Sequence, residues 1–283
     1  MNETVSLSLS PKQITALQKQ YAQSFKASTQ AYTVGQFFLD GCTITLYTSG
    51  KVVFQGPQAS AVASPYKPRI QAHAGSDEVG TGDYFGPVVV VAAYVDEKML
   101  ASLAHLPITD SKQITDELIL KMAPEIMAIV PHSALILENE KYNQIQGHNN
   151  LNAIKAKLHN QAYLHLRSRI HTLPPLCVVD QFTPEAMYFK YIQSEKEVVK
   201  SLHFETKAES KYPAVAIASI LARYAFLKVW EKMEEKFDFT FPKGGGDLVN
   251  LAGQRFLLKY GESRLHEVAK VHFKNTEKIK ALE

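Results

Sequence analysis

The chain has 283 residues, of which 46% are hydrophobic and 21% are charged, and its formal net charge is +3 at pH 7. These values are typical of a globular protein that can bury a sizeable core. Its two cysteines lie far apart, which argues against a disulfide or zinc framework and favours a reducing, cytoplasmic location. The first ten residues lack the features of a secretory signal, and the longest apolar run, Val88–Val95, is too short to span a bilayer, so no membrane partner is expected.

The first sixty residues predict a small α+β unit. Thr4–Leu9 alternates like a strand, and Ser10 followed by Pro11 predicts the start of a helix that reaches Phe25. Residues 1–68 contain five lysines and two acidic residues, a balance that suits a module for binding a polyanion or a solvated surface equally well. Asp-Gly and Ser-Gly turns separate three further predicted strands, which are Gln36–Leu39, Cys42–Tyr47 and Lys51–Gln55.

Prolines and small residues predict a linker between two domains. We place an N-terminal, substrate-binding domain at residues 1–60, the linker at 61–69 and a larger domain at 70–283. In the larger region strands come first and helices then alternate with strands, which predicts a mixed α/β architecture. Its predicted elements are, in order, a hairpin that includes Val88–Val95, a helix after Thr115, a strand at Ser133–Leu137, a helix at Asn150–Ile170, a strand at Leu176–Val179, a helix after Thr183, a strand at Val198–Phe204, a helix at Pro213–Lys236, a helix capped by Asp247 and a short helix within Glu262–Asn275.

Two adjacent acids, Asp77 and Glu78, stand beside a glycine turn and the most apolar predicted strand. Neighbouring side chains of a strand point to opposite faces, so at least one of the two acids faces solvent or a ligand. Gly80 and Gly82 then allow a sharp turn or the close approach of another backbone. Val88–Val95 is apolar throughout, as expected of a strand that is buried on both faces. A surface hairpin with solvated acids explains this local pattern equally well.

Further acids stand at the ends of other predicted elements. Asp180 ends a short buried strand, and Glu209 directly precedes a predicted helix. Because functional groups of α/β sheets gather at strand ends, these two acids are candidates for one cluster with Asp77 and Glu78. Clustered carboxylates repel one another, and divalent Mg²⁺ or Mn²⁺ resolves that repulsion. Two such ions can activate a water molecule and stabilise the leaving oxygen of a phosphodiester. The sequence contains no Walker loop, no nucleophile elbow and no Cys/His cluster that points to another chemistry.

In combination, several motifs resemble those of the type 2 ribonuclease H family. Three features are similar to the bacterial ribonuclease HIII branch: the additional N-terminal unit, Glu209 in place of Asp, and Thr81 between two glycines. The N-terminal unit resembles in layout the TATA-binding-protein-like domain of that branch. The motifs that carry the resemblance are Gly75–Gly82, Gly86–Val88, Asp110–Lys112, Asn149–Asn152, Leu158–Asn160, Asp180, Lys207–Lys211, Ala218–Arg223 and Val268–Thr276.

The resemblance implies a ribonuclease H-like mixed sheet flanked by helices, and an endonuclease that cuts the RNA strand of RNA–DNA hybrids. By this likeness the enzyme uses two Mg²⁺ or Mn²⁺ ions and leaves 5′-phosphate and 3′-hydroxyl ends. The catalytic and metal-binding residues that carry over are Asp77, Glu78, Asp180 and Glu209.

The resemblance also assigns substrate contacts. The turn made by Gly80, Thr81 and Gly82 is expected to bring its backbone to ribose 2′-hydroxyls, which both donate and accept hydrogen bonds. The lysines near the acids in sequence are either phosphate contacts or solvated side chains, namely Lys112, Lys207 and Lys211. Lys51 and Gln55 share one predicted strand and are either duplex contacts or ordinary polar cover.

Three alternatives remain open from the sequence. The first is cleavage at single ribonucleotides embedded in DNA, as ribonuclease HII performs. The second is another two-metal polynucleotide enzyme, which would also cut DNA duplexes. The third is a hybrid-binding protein without catalysis, although such a protein has no use for acids that face phosphates. No coiled-coil seam is present, so a monomer is the expected state.

Overall fold

The structure is a computed structural model that describes residues 3–39, 41–66, 71–108 and 114–281. The chain divides into two compact units, residues 1–70 and residues 71–283. Each unit has a five-stranded sheet of its own.

The first unit is an antiparallel sheet with two helices. Its strands are β1 (Glu3–Ser8), β2 (Lys26–Ala27), β3 (Thr33–Leu39), β4 (Cys42–Tyr47) and β5 (Lys51–Gly56), and its helices are α1 (Pro11–Gln20) and α2 (Ala59–Ala63). The strands lie in the order β1-β5-β4-β3-β2. Residues of both helices share one buried cluster with the inward side chains of the sheet, so both helices pack on the same face.

Alternation within β5 separates the two faces of this sheet. Val52 and Phe54 are fully buried against the helices, whereas Lys51 and Gln55 are exposed on the opposite face. That opposite face is largely polar, because Thr4 and Ser6 of β1 and Thr43 of β4 also point to it.

Two features of the first unit differ from the expectation. Helix α1 begins as predicted, with a capping box between Ser10 and Gln13, but it ends at Gln20 and not at Phe25. A short 3₁₀ turn follows and places Phe25 against Phe37, with ring centroids 4.9 Å apart. The segment predicted as a linker also starts inside an ordered element, since Ala63 at the end of α2 is buried in the core of this unit.

The second unit is a mixed sheet with helices on both faces, and it confirms the predicted fold class. The strands are β6 (His73–Val79), β7 (Val88–Val95), β8 (His132–Leu137), β9 (Cys177–Asp180) and β10 (His203–Glu205), in the order β10-β9-β6-β7-β8. The pairings are antiparallel between β6 and β7 and between β7 and β8, and parallel between β6 and β9 and between β9 and β10. The helices are α3 (Glu97–Ser102), α4 (Asp116–Ile129), α5 (Asn139–Gln146), α6 (Leu151–Ile170), α7 (Glu185–Ile192), α8 (Pro213–Phe237), α9 (Asp247–Tyr260), α10 (Glu262–Val268) and α11 (Lys274–Lys280).

Strand β7 is buried on both faces, as its sequence predicts. Val89 and Val91 belong to the cluster that contains α8, whereas Val90 and Ala92 belong to the cluster that contains α6. Helix α8 presses so closely on the sheet that a Cβ atom at Gly75 would lie 2.4 Å from the backbone nitrogen of Val215. By length and composition α8 is apolar enough to cross a membrane, but more than half of its most apolar window is buried in the core, as in the central helix of a globular protein.

Three C-terminal segments differ from the expectation. The predicted strand at residues 198–204 is reduced to β10, because the buried side chain of Asn160 bonds the backbone at Glu197 and Val199 in place of a neighbouring strand. The short helix predicted within residues 262–275 is α10, and a further helix that was not predicted, α11, follows after residues 269–273, where extended Ala269 pairs with Phe85. Gly246, and not Asp247, is the N-cap of α9.

Candidate active site

Parallel pairing brings two of the predicted acids together. Strands β6 and β9 pair in register up to Ser76 and Val179, and Asp77 and Asp180 are the next residues along each strand. Residues at equal positions of parallel strands point to the same side, so the two carboxyl groups are neighbours at the end of β9. The charge of Asp180 acts on the pKa of Asp77, which is consistent with this proximity.

Asp180 also connects the sheet to the segment that carries Glu209. One carboxylate oxygen of Asp180 accepts a hydrogen bond of 2.9 Å from the backbone nitrogen of Ala208. Ala208 begins the 3₁₀ helix Ala208–Ser210. Lys207, the residue before this helix, has a left-handed conformation with φ of 56°. Glu209 lies within this short helix and is buried. Asp180 therefore binds the residue that directly precedes Glu209.

Asp77 lies in a setting that disfavours its negative charge. Burial raises the pKa of its carboxyl group to about 7, and the charges of Glu78 and Asp180 act in the same direction. Hydrogen bonds from the Ser219 hydroxyl and from the backbone nitrogen of Glu78, at 2.8 Å, oppose the shift but do not cancel it. A bound cation would reverse this balance, because it stabilises the charged form.

Glu78 points away from Asp77 and is held by two basic residues of α6. Its carboxylate forms an ion pair with Lys155, and its other oxygen lies 2.9 Å from Nε2 of His159. Burial alone would raise the pKa of Glu78, but His159 and Lys155 outweigh burial and lower it. The ring of Phe182 lies below the Lys155 ammonium, 3.9 Å from it. The two adjacent acids therefore have opposite electrostatic surroundings.

The sequence prediction missed the two basic partners of Glu78. It included His159 only within the motif Leu158–Asn160, without a role, and did not single out Lys155. A signal was present, since Lys155 and His159 are four residues apart and lie on the same face of a predicted helix with an apolar stripe. Basic residues within an apolar face indicate a buried acidic partner.

Ser76, His159 and Glu78 form a hydrogen-bonded chain that resembles a nucleophile relay. The hydroxyl of Ser76 lies 2.8 Å from Nδ1 of His159, and Nε2 of the same ring binds Glu78. Both Ser76 and His159 are fully buried, so a substrate cannot reach the hydroxyl group. The chain therefore fixes the position of Glu78 and does not form a serine nucleophile.

The donor chemistry of the site fits Mg²⁺ or Mn²⁺. All four predicted ligands supply carboxylate oxygens, which these ions prefer. Among the described residues, however, no three side chains of Asp, Glu, His or Cys are gathered closely enough to form a ligand set. Asp77 and Asp180 are neighbours, Glu209 lies in the segment bonded to Asp180, and Glu78 is directed to α6. A cation therefore matches the donor types and the raised pKa of Asp77, while the carboxylates are not yet assembled around one point.

The turn after β6 contains two glycines, and the space around the position of a missing Cβ atom differs between them. Gly80 has φ of +87°, and a Cβ atom there would lie 2.1 Å from the carbonyl oxygen of Pro87, so the fold itself requires this glycine. A Cβ atom at Gly82 would meet no described atom within 4 Å, so the fold does not require glycine there. Thr81 and Gly82 form the outer part of the turn and are partly or fully exposed. The bare backbone at Gly82 leaves room for a ligand.

The predicted lysines have different surroundings. Lys211 forms an ion pair with Glu205 and is exposed, and Lys207 is exposed at the start of the 3₁₀ helix. Lys51 and Gln55 lie on the polar face of β5 in the first unit. Asp110, Ser111 and Lys112 lie outside the described residues, so the phosphate contact predicted for Lys112 stays a prediction.

Two family models match the chain. The model described as "Ribonuclease HII" matches residues 74–276, and the model described as "Domain of unknown function (DUF3378)" matches residues 4–78. The first match covers the acids and the glycine turn described above.

Curated and solved proteins are similar over nearly the whole chain. Ribonuclease HIII of Bacillus mycoides is 39% identical, over 98% of this chain and 98% of its own. The crystal structure of Bst-RNase HIII in complex with Mn²⁺ superposes with a TM-score of 0.74 at 35% identity and covers 99% of both chains. The structure of Aquifex aeolicus RNase H3 shares the fold, with a TM-score of 0.58 at 24% identity over 95% of this chain and 99% of its own.

Proposed function

The chain belongs to the ribonuclease HII family and is an endoribonuclease of the ribonuclease H class, and from this premise we propose that it hydrolyses the RNA strand of RNA–DNA hybrids with Mg²⁺ or Mn²⁺. The observation that carries the proposal is the proximity of Asp77 and Asp180 where β9 ends, with the pKa of Asp77 raised to about 7. A carboxyl pair of this kind needs a cation to be fully ionised near neutral pH.

The ligand set we propose is Asp77, Glu78, Asp180 and Glu209. Two bound divalent ions would activate a water molecule and stabilise the oxygen that leaves the phosphodiester. Asp77 and Asp180 supply adjacent oxygens from two strands, and Ser219 orients the Asp77 carboxyl group through its hydroxyl. Lys155 and His159 keep Glu78 ionised and in place. Cleavage breaks the bond to the 3′ oxygen, so the products are 5′-phosphate and 3′-hydroxyl ends.

Substrate recognition is proposed for the glycine turn and for the first unit. The backbone of Gly80, Thr81 and Gly82 approaches ribose 2′-hydroxyls in the minor groove of the hybrid, where exposed backbone groups match a donor and acceptor. Lys207 and Lys211 are proposed phosphate contacts near the acids. Lys211 would have to exchange its ion pair with Glu205 for a phosphate.

The first unit is proposed to bind the duplex through its polar face. Lys51 and Gln55 are exposed there and can reach phosphates or sugar edges.

The proposed working state is a monomer in the cytoplasm.

The test presents one labelled strand in three duplexes: an RNA–DNA hybrid, a DNA duplex and a DNA duplex with one embedded ribonucleotide. Each is incubated with and without Mg²⁺ and, separately, Mn²⁺. The proposal expects metal-dependent cleavage of the hybrid and little cleavage of the DNA duplex, with 5′-phosphate ends on the products. Equal cleavage of hybrid and DNA would contradict it and favour a general two-metal nuclease. Preferred cleavage at the single ribonucleotide would favour activity of the ribonuclease HII type, for which the family match is the supporting observation.

A further inference from the structure

Lys270 is a fully buried lysine outside the acidic cluster. It lies in the segment 269–273 between α10 and α11, and its side chain reaches into the turn that connects β6 to β7. Burial lowers the pKa of its ammonium group to about 7, and the negative charge of Asp83 opposes the shift. Lysine is rarely buried completely unless its ammonium group has hydrogen-bond partners.

The partners of Lys270 are backbone carbonyl groups of a single turn. Its Nζ atom lies 2.8 Å from the carbonyl oxygen of Asp83, 2.5 Å from that of Gly86 and 3.5 Å from that of Phe85. The backbone nitrogen of Lys270 also donates to the carbonyl oxygen of Tyr84, at 2.8 Å. One residue thus binds four consecutive carbonyl groups.

Other C-terminal groups hold the same part of the turn. The backbone nitrogens of Tyr84 and Gly86 donate to carbonyl oxygens of Gly244 and Val268, respectively. The Asp83 carboxylate accepts a hydrogen bond of 2.6 Å from the backbone nitrogen of Gly244. The stretch Asp83–Gly86 is therefore fixed on both its donor side and its acceptor side.

The outer part of the turn has a different environment. No hydrogen bond to another described residue engages the backbone of Thr81 or Gly82. A Cβ atom at Gly82 would also meet no described atom within 4 Å. The turn therefore combines a rigid base at Asp83–Gly86 with an outer part whose backbone groups are available to a ligand.

We propose that Lys270 is the positioning residue that presents the backbone of Thr81 and Gly82 to the ribose 2′-hydroxyls of the hybrid. The inference rests on the proposed function and adds a residue that determines substrate specificity. Lys270 touches no substrate atom. By binding the carbonyl groups of Asp83, Phe85 and Gly86, it sets the direction of the turn before the substrate arrives, so the substrate does not have to order the turn.

Amide hydrogen exchange of the metal-free, substrate-free protein tests how the turn is held. In the parent we expect strong protection at Tyr84 and Gly86 and little protection at Thr81 and Gly82. In Lys270→Met we expect exchange at Tyr84 and Gly86 to become about a hundredfold faster or more, because the base of the turn opens locally. Unchanged exchange in Lys270→Met, or strong protection of Thr81 and Gly82 in the parent, would overturn the proposal. The measurement on the parent remains decisive if the variant does not fold.

Binding measurements test the consequence for specificity. Fluorescence anisotropy with a labelled hybrid and the matching DNA duplex gives the ratio of the two affinities, measured with Asp77→Asn in every protein to prevent cleavage. Lys270→Met is expected to lower the preference for hybrid roughly tenfold, as expected when one or two hydrogen bonds to 2′-hydroxyls are lost.

Two controls separate this effect from charge and stability. Lys278→Met removes an exposed lysine of the same C-terminal region. It should lower the affinity for both duplexes equally and so leave the ratio of the two affinities unchanged. Leu166→Ala destabilises a core cluster that does not contain the turn residues and should also leave the ratio unchanged. A preserved hybrid preference in Lys270→Met would overturn the specificity role. A parent without any hybrid preference would contradict the proposed function, whereas the exchange measurement would still decide whether Lys270 holds the turn.

Discussion

The two units contain sheets of equal strand number that differ in how their faces are covered. In the second unit α8 packs on one face of the sheet and α6 on the other, and β7 between them is buried on both sides. In the first unit α1 and α2 pack on one face, and the opposite face carries exposed polar side chains such as Lys51 and Gln55.

This difference determines where polar groups can act. A sheet that is covered on both faces offers solvent access only at its edges and strand ends, and there Asp77 meets Asp180. A sheet with one open face offers a broad surface instead, suitable for many weak contacts along a duplex. The comparison therefore predicts that the second unit performs the chemistry and that the first unit contributes binding.

The largest effect is expected for Asp77→Asn. Loss of one charged oxygen ligand should reduce hybrid cleavage about a thousandfold or more. Hybrid affinity should change by less than about threefold, because the groove contacts remain. Single-turnover cleavage and anisotropy measure the two quantities.

Asp238→Asn is the matched control, since it neutralises an exposed acid that follows the C-terminal end of α8, nineteen residues beyond Ser219, and should cleave like the parent. Cleavage by Asp77→Asn at near the parent rate would refute the assignment of chemistry to this strand end.

The second effect is a dependence of stability on pH in the metal-free protein. The pKa of Asp77 is about 7 in the folded protein and near 3.8 in the unfolded chain. The protonated form therefore stabilises the folded state below about pH 4, and this contribution is lost as the pH rises through about 7. Asp77→Asn should be more stable than the parent by about 2–4 kcal/mol at pH 8 and similar to it at pH 4.

Denaturant unfolding at the two pH values measures this difference, and Mn²⁺ should stabilise the parent more than the variant at pH 8. If the variant is the less stable protein at pH 8, the electrostatic account of Asp77 is wrong.

A smaller effect is expected when residues 1–70 are deleted. Each unit has a core of its own, so the remaining chain should fold. The KM for hybrid should rise about tenfold or more while kcat changes by less than about threefold, as expected when uniform binding is lost. Steady-state kinetics separates the two constants. A fall in kcat with an unchanged KM would show that the first unit acts on chemistry, and the comparison of the two sheets would fail.

The smallest effects belong to single residues of the open face. Lys51→Ala and Gln55→Ala should each raise KM about twofold to fivefold, and only Lys51→Ala should reduce the salt dependence of hybrid binding, because only lysine displaces a counterion. Lys12→Ala, on the exposed side of α1, is the matched control with no expected effect on KM. Equal effects of Lys51→Ala and Lys12→Ala, with no effect of the neutral substitution Gln55→Ala, would show that net charge, and not this face, contributes the binding.

Much of the site follows from the sequence because its residues are tied to local patterns. Asp180 directly follows a buried apolar strand, so its place at a strand end is predictable. Its position beside Asp77 follows once these two strands pair in parallel within the sheet. The helix after Thr115 and the helix after Asn150 begin where their caps predict.

The residues that the sequence prediction missed depend on contacts between distant segments. Lys155 and His159 reach Glu78 only because α6 crosses the sheet at β6. Lys270 has the charge of a surface residue, and nothing adjacent in sequence indicates that it binds carbonyl groups of a turn far away in the chain. The predicted strand at residues 198–204 is shorter because one buried side chain, Asn160, replaces strand pairing.

The most direct test of the central claim is a crystal structure of the protein with Mn²⁺, with anomalous diffraction used to locate the ions. The account predicts anomalous peaks within about 2.0–2.4 Å of carboxylate oxygens of Asp77 and Asp180, with Glu78 and Glu209 as the remaining ligands. Mn²⁺ bound elsewhere, or density in which Asp180 or Glu209 contacts no ion while Asp77 does, would contradict it.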